Sequence, residues 1–154
     1  MLGFVIDLKA EDNGAYTATS PSFPELSAQA NNELDATANL KKAVEKRLLV
    51  MLKEKKIIPV PTKVNKNRPS ITFPVLIVAK IYLANTMIEK RIQKTELAKR
   101  LGCHMQQVDR LLDLCHASKI ERVEEALKVL GRGLELRVTD SVQESLSVKM
   151  LKRS

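Results

Sequence analysis

Apolar residues recur at every second position where the chain begins and at every third or fourth from residue 34 onward. This change of period separates a strand-forming part from a helix-forming part. Leu2, Phe4, Ile6 and Leu8 alternate with Gly3, Val5, Asp7 and Lys9, which predicts a strand with one buried face. Asp12-Asn13-Gly14 carries turn chemistry, because Asn-Gly accepts positive φ, and a second strand is expected over Ala15 to Ser20. Pro21 and Pro24 interrupt the pattern, and Glu25 to Ala30 reads as the third strand of an antiparallel meander.

Asn32 is a candidate N-cap for a long helix from Leu34 to about Lys55, a stretch without Gly or Pro in which Leu40, Val44, Leu48, Met51 and Leu52 fall at helical spacing. The opposite face, with Lys42, Glu45, Lys46 and Lys53, reads as solvated. Pro59, Pro61 and Pro69 then mark a boundary. Proline at that density predicts an extended connector, with Lys63, Lys66 and Arg68 keeping it solvated. Four helices are expected beyond it, over residues 74–90, 94–101, 105–114 and 119–130, with Gly131 just past the last one. Leu134 to Val138 reads as a short strand. The expected fold class is therefore α+β. A small antiparallel sheet with one long helix (1–62) is followed by a connector (63–73), an all-α unit (74–138) and a tail (139–154) expected to be disordered.

Two units within 154 residues leave each with a modest core, so a homodimer or higher oligomer is expected. No apolar run approaches the ~18 residues of a membrane helix, and the start resembles no secretion signal, which predicts a cytoplasmic chain with no membrane partner. The net charge of +8 is unevenly placed. Residues 1–62 hold eight Lys or Arg against eight Asp or Glu, whereas residues 63–154 hold eighteen against ten, so the whole excess (18 − 10 = +8) lies in the second part. A polyanionic partner for that part alone is the physical implication.

The segment from Lys94 to Leu112 meets the requirements of a helix-turn-helix. Ala98 is small where two helices would approach, and Gly102, four residues on, permits the positive φ of a tight turn. Leu97, Leu101, Val108 and Leu111 are apolar where both helices would face a core. The second helix then exposes His104, Met105, Gln106, Gln107, Asp109 and Arg110. Glutamine can pair with adenine edges and arginine with guanine edges, while Lys94, Thr95 and Lys119 suit phosphate. Asp109 would repel phosphate unless it faces a cytosine amine or pairs with Arg110.

Cys103-His104 and Cys115-His116 match no zinc spacing, and both cysteines are read as reduced, small apolar core residues. Asp7, Glu11, Asp12, Glu25, Glu33 and Asp35 sit mostly in turns or at the helix start and suggest no two-metal cluster. Without a nucleophile motif or a phosphate-cradling loop, neither catalysis nor a cofactor is expected.

In this order the parts resemble the HicB family of type II antitoxins over roughly residues 2–138. The resemblance rests on Gly14-Ala15-Tyr16-Thr17-Ala18, Phe23-Pro24-Glu25-Leu26, Ile57-Ile58-Pro59-Val60-Pro61, Phe73-Pro74-Val75-Leu76, Leu97-Ala98-Lys99-Arg100-Leu101-Gly102 and Arg110 through Ile120. Asn31-Asn32-Glu33 stands where a Gly-x-Thr turn is usual. The resemblance implies a degenerate RNase H-like first domain that caps a HicA-type mRNA-cleaving toxin, and a second domain that binds operator DNA to repress the shared operon. A basic toxin would be met by acidic residues, for which Asp7, Glu11, Asp12 and Glu25 are the candidates. The competing reading is a stand-alone helix-turn-helix regulator whose first domain senses a small molecule, and a residual ribonuclease ranks below both.

Overall fold

The computed structural model describes residues 1–140 and is α+β. Strands β1 (Leu2–Val5), β2 (Asp7–Ala10), β3 (Tyr16–Ser20) and β4 (Phe23–Ala30) precede helix α1 (Glu33–Lys53). Strands β5 (Thr62–Lys63) and β6 (Ser70–Thr72) follow, and then helices α2 (Val75–Glu89), α3 (Lys94–Leu101), α4 (Met105–Leu112) and α5 (Ile120–Val129).

The alternating start forms two strands with a break at Ile6. β2, β3 and β4 make the expected antiparallel meander, with Asp7 opposite Thr19 and Ala18 opposite Ala28. Gly14, at φ 82°, turns the first hairpin, and the last strand begins at Phe23, two residues earlier than expected. α1 packs on β3 and β4 through Ala36, Leu40, Val44 and Leu48, an i, i+4 stripe that is wholly buried. Burial of each leucine contributes about 1.5–3 kcal/mol. Asn32 caps the helix as expected, its Oδ1 accepting from the Asp35 N–H at 2.8 Å. Lys55 adopts φ 53°, and α1 ends at Lys53, about two residues before the expected bound.

The connector reading needs correction. Residues 62–63 and 70–72 pair with β1 on its two sides, giving a second sheet in the order β5-β1-β6. Ile71 is buried with Phe4, Phe23 and Ile58, and Phe4 meets Phe23 and Phe73 edge to face at 4.9 and 5.8 Å. The prolines are accommodated because they lie outside the short paired segments. Between these two flanking strands stands Gly3, where an added Cβ would lie 2.1 Å from the carbonyl oxygen of Ile71. Gly3→Ala is therefore expected to lower unfolding stability by roughly 1–3 kcal/mol, since backbone must move to admit it. An unchanged denaturation midpoint would show that the strand shifts freely.

A second core lies among α2 to α5, with Leu83, Leu97, Val108, Val123 and Ala126 at its centre. α2 belongs to both cores, because Ile81 packs with the sheet and Leu83 with the helices. Leu134 to Val138 forms no strand, and Leu134 rests against the helical core instead. Gly131, at φ 84°, does follow α5 as expected. Of the tail expected to be disordered, residues 141–154 lie outside the described residues.

Candidate nucleic-acid interface

α3 and α4 are joined by a turn in which Gly102 takes φ 63°, ψ 37°, the left-handed conformation that glycine adopts without steric cost. Leu97, Ala98, Val108 and Leu111 are buried, and Leu101 and Cys103 are half-buried against the same core. The apolar positions thus face inward as their spacing predicts. His104 precedes α4 as its N-cap residue, and His104, Met105, Gln106, Gln107, Asp109 and Arg110 are all exposed. Gln106 and Arg110, four apart, share one face of the helix. Thr95 is exposed at the start of α3, and Lys119 is exposed immediately before α5.

Two side chains differ from expectation. Lys94 is half-buried, and its Nζ lies 2.7 Å from Asp109 Oδ1, so Asp109 pairs with Lys94 and not with Arg110. Cys115 is exposed in the loop that follows the end of α4 at Leu112; it is not a core residue. Among the described residues no group of three metal-ligating side chains occurs.

How α4 ends involves a residue whose role the linear pattern hides. Lys80 on α2 is completely buried, and its ammonium donates to the carbonyl oxygens of Arg110 (3.0 Å), Asp113 (2.6 Å) and His116 (2.6 Å). The last carbonyls of a helix lack intrahelical donors; Lys80 adds one to Arg110 in the last turn of α4 and ties the carbonyls of Asp113 and His116, just past the helix, to α2. Burial pushes the Lys80 ammonium below its usual range, partly opposed by the charge of Asp113. Asn85, also on α2, exchanges two hydrogen bonds with Ile58, donating from Nδ2 to its carbonyl and accepting its N–H at Oδ1, both at 2.8 Å. Thr86 Oγ1 accepts from Arg132 at 2.7 Å. One apolar helix thus carries three polar ties, to the end of α4, to the segment after α1 and to the chain beyond α5. The available signal is a lysine, an asparagine and a threonine inside a largely apolar run from Val75 to Ile88.

The acidic residues of the first part do not form one cluster. Asp7 pairs with Arg68 at 2.9 Å, and Glu11 Oε1 accepts from the Thr17 hydroxyl at 2.8 Å. Asp12 is exposed in the β2–β3 turn. Glu25 lies 3.2 Å from Arg47 Nε, close enough to attract but not aligned as a hydrogen bond. Strand register places Asp7 at one end of β2 and Glu11 past the other, about 13 Å apart at ~3.3 Å per residue.

Comparison with known proteins agrees with this architecture. The family described as HicB-like antitoxin of bacterial toxin-antitoxin systems matches residues 4–82. Antitoxin HicB of Pseudomonas fluorescens (strain Pf0-1) is 36% identical over 129 residues, covering 83% of this chain and 88% of that one. Antitoxin HicB of Escherichia coli (strain K12) is 29% identical over 133 residues, covering 86% and 96%. Antitoxin HicB 2 of Photorhabdus laumondii subsp. laumondii is 30% identical over 125 residues, covering 81% and 88%. The α+β part preceding α2, the matched span and these relatives together place the chain in the family of HicB-like antitoxins of bacterial toxin-antitoxin systems.

Proposed function

We propose that the chain neutralises a HicA-type mRNA-cleaving toxin through its α+β unit and represses its own operon by binding operator DNA as a dimer through α3 and α4, acting as a helix-turn-helix. It works by binding, without catalysis or a cofactor, in the cytoplasm. No described helix is long and apolar enough to cross a membrane. The observation that carries the DNA reading is the outward face of α4, where Gln106, Gln107 and Arg110 project beyond a turn held by Gly102 and a buried apolar seam. In this reading His104 and those three side chains meet base edges, while Thr95, Lys119 and Lys94 meet phosphate, Lys94 sharing its charge with Asp109. The toxin-binding unit extends to about residue 73, because β6 completes its sheet. Asp12 is the most available of the four acidic candidates, since Asp7, Glu11 and Glu25 already have partners within the chain.

Two measurements test this reading. The protein is expected to bind the DNA upstream of its own reading frame more tightly than a scrambled duplex, and to co-purify with the product of a neighbouring short, basic reading frame. Equal affinity for both duplexes would reject the repressor role. A neighbour that stays toxic and unbound on co-expression would reject the antitoxin role proposed for the α+β unit.

A further inference from the structure

The end of α1 and the turn between α2 and α3 face each other across an open cavity of about 710 Å³. Lys53, Lys55 and Lys56 line it from the α1 side, and Arg91 and Lys94 from the other. Two carboxylates share the wall, and both are engaged. Asp109 pairs with Lys94 at 2.7 Å, and Asp113 Oδ1 accepts the N–H of Cys115 at 2.9 Å. Lys56 pairs with Glu54 at 2.9 Å. Among the described residues, Lys53, Lys55 and Arg91 have no ion pair, and with five cations against two aspartates the lining carries an excess of positive charge.

The backbone provides a second observation. Lys55 (φ 53°) and Arg91 (φ 55°) are the non-glycine residues with positive φ among those described, and each stands two residues past a helix, where glycine carries no steric cost. A side chain there costs on the order of 1–2 kcal/mol. Cations near a helix C-terminus do offset the helix dipole, but that effect needs no left-handed residue, since Lys53 and Lys90 already stand beside those ends. Both strained positions hold a cation on the same cavity.

We propose that this cleft grips the sugar-phosphate backbone of DNA beside the site read by α4, so that the end of α1 contributes phosphate contacts to operator binding. The proposal rests on the DNA-binding reading above. The cleft is continuous with Lys94, the first residue of α3, and its excess of positive charge suits a polyanion. A basic toxin would be repelled from it.

The test uses the full chain with Lys55→Gly and Arg91→Gly combined. Glycine relieves the left-handed strain, so the thermal midpoint is expected to stay level or rise while the two charges are removed. Binding to operator and to scrambled DNA should weaken together, and the slope of log affinity against log salt should fall by about 1.8, at ~0.9 for each phosphate no longer neutralised. The charge-preserving pair Lys55→Arg and Arg91→Lys should keep the wild-type slope. An unchanged slope in the glycine variant, beside normal wild-type preference for operator, would overturn the cleft's role alone. A wild-type chain without any preference for operator would overturn the proposal together with the DNA reading beneath it.

Discussion

Lys80→Met should lower unfolding stability by roughly 2–4 kcal/mol, because three charge-assisted hydrogen bonds are lost while only one buried charge is removed. The carbonyls keep only weaker donors, Arg110 from Asp113 and Ser118, Asp113 from the His116 N–H, and His116 from the Ser118 N–H. Methionine fills a similar volume, so the loss reports the hydrogen bonds rather than a cavity. The effect should also reach DNA. α4 is held at its C-terminal end through this ammonium, and operator binding should fall more than binding to scrambled DNA. The pH dependence has a definite sign. Burial lowers the folded-state pKa of Lys80 below the usual 10.5, so the unfolded chain holds its proton more tightly. Stability contributed by this residue therefore rises with pH through the window just below 10.5, and the gap between wild type and Lys80→Met should widen there. Urea unfolding of both proteins at several pH values checks the sign. Equal stabilities at neutral pH, or a gap that closes as pH rises, would contradict it.

Asn85→Leu should cost about 2–4 kcal/mol as well, since a buried N–H and a buried carbonyl of Ile58 would both be left without partners. The consequence is more specific than a loss of stability. Ile58 is packed in the sheet core and α2 spans both cores, so this two-bond tie couples the α+β unit to the helical one. Wild type is expected to unfold in one transition and Asn85→Leu in two, observed as separation of the strand and helix signals on heating. A single sharp transition in the variant would show that shared packing around Ile81 and Leu114 couples the two units unaided.

What could be read from the chain was whatever depends on near neighbours. The Asn32 cap, the α1 stripe from Ala36 to Leu48 and the turn at Gly102 each arise from residues three to five apart, so period and cap chemistry reveal them. Pairings across long separations were hidden. β6 pairs with β1 from nearly seventy residues away, and its short, proline-flanked sequence reads locally as a connector. Lys80 reaches carbonyls 30 to 36 residues on, and a lone lysine in an apolar helix does not disclose its acceptors. The exposed α4 side chains were legible for the same local reason, but the Lys94–Asp109 pair was not, because helix spacing does not show which acidic group a lysine will meet across a turn. The four acidic candidates stand out in the sequence by charge alone, and three of them serve interactions within the chain.

The central claim is that α4 reads base sequence, and binding of Gln106→Ala, Arg110→Ala and Lys94→Ala to operator and scrambled duplexes at several salt concentrations tests it most directly. Gln106→Ala and Arg110→Ala should each weaken operator binding by about 1–3 kcal/mol, in a manner dependent on the base pair opposite, and leave scrambled DNA nearly unaffected. Lys94→Ala should weaken both duplexes alike and reduce the salt slope by about one unit or less, since Asp109 already takes part of its charge. Equal losses on both duplexes for Gln106→Ala and Arg110→Ala, or unchanged binding in all three variants, would contradict the assignment of α4 as the reading helix.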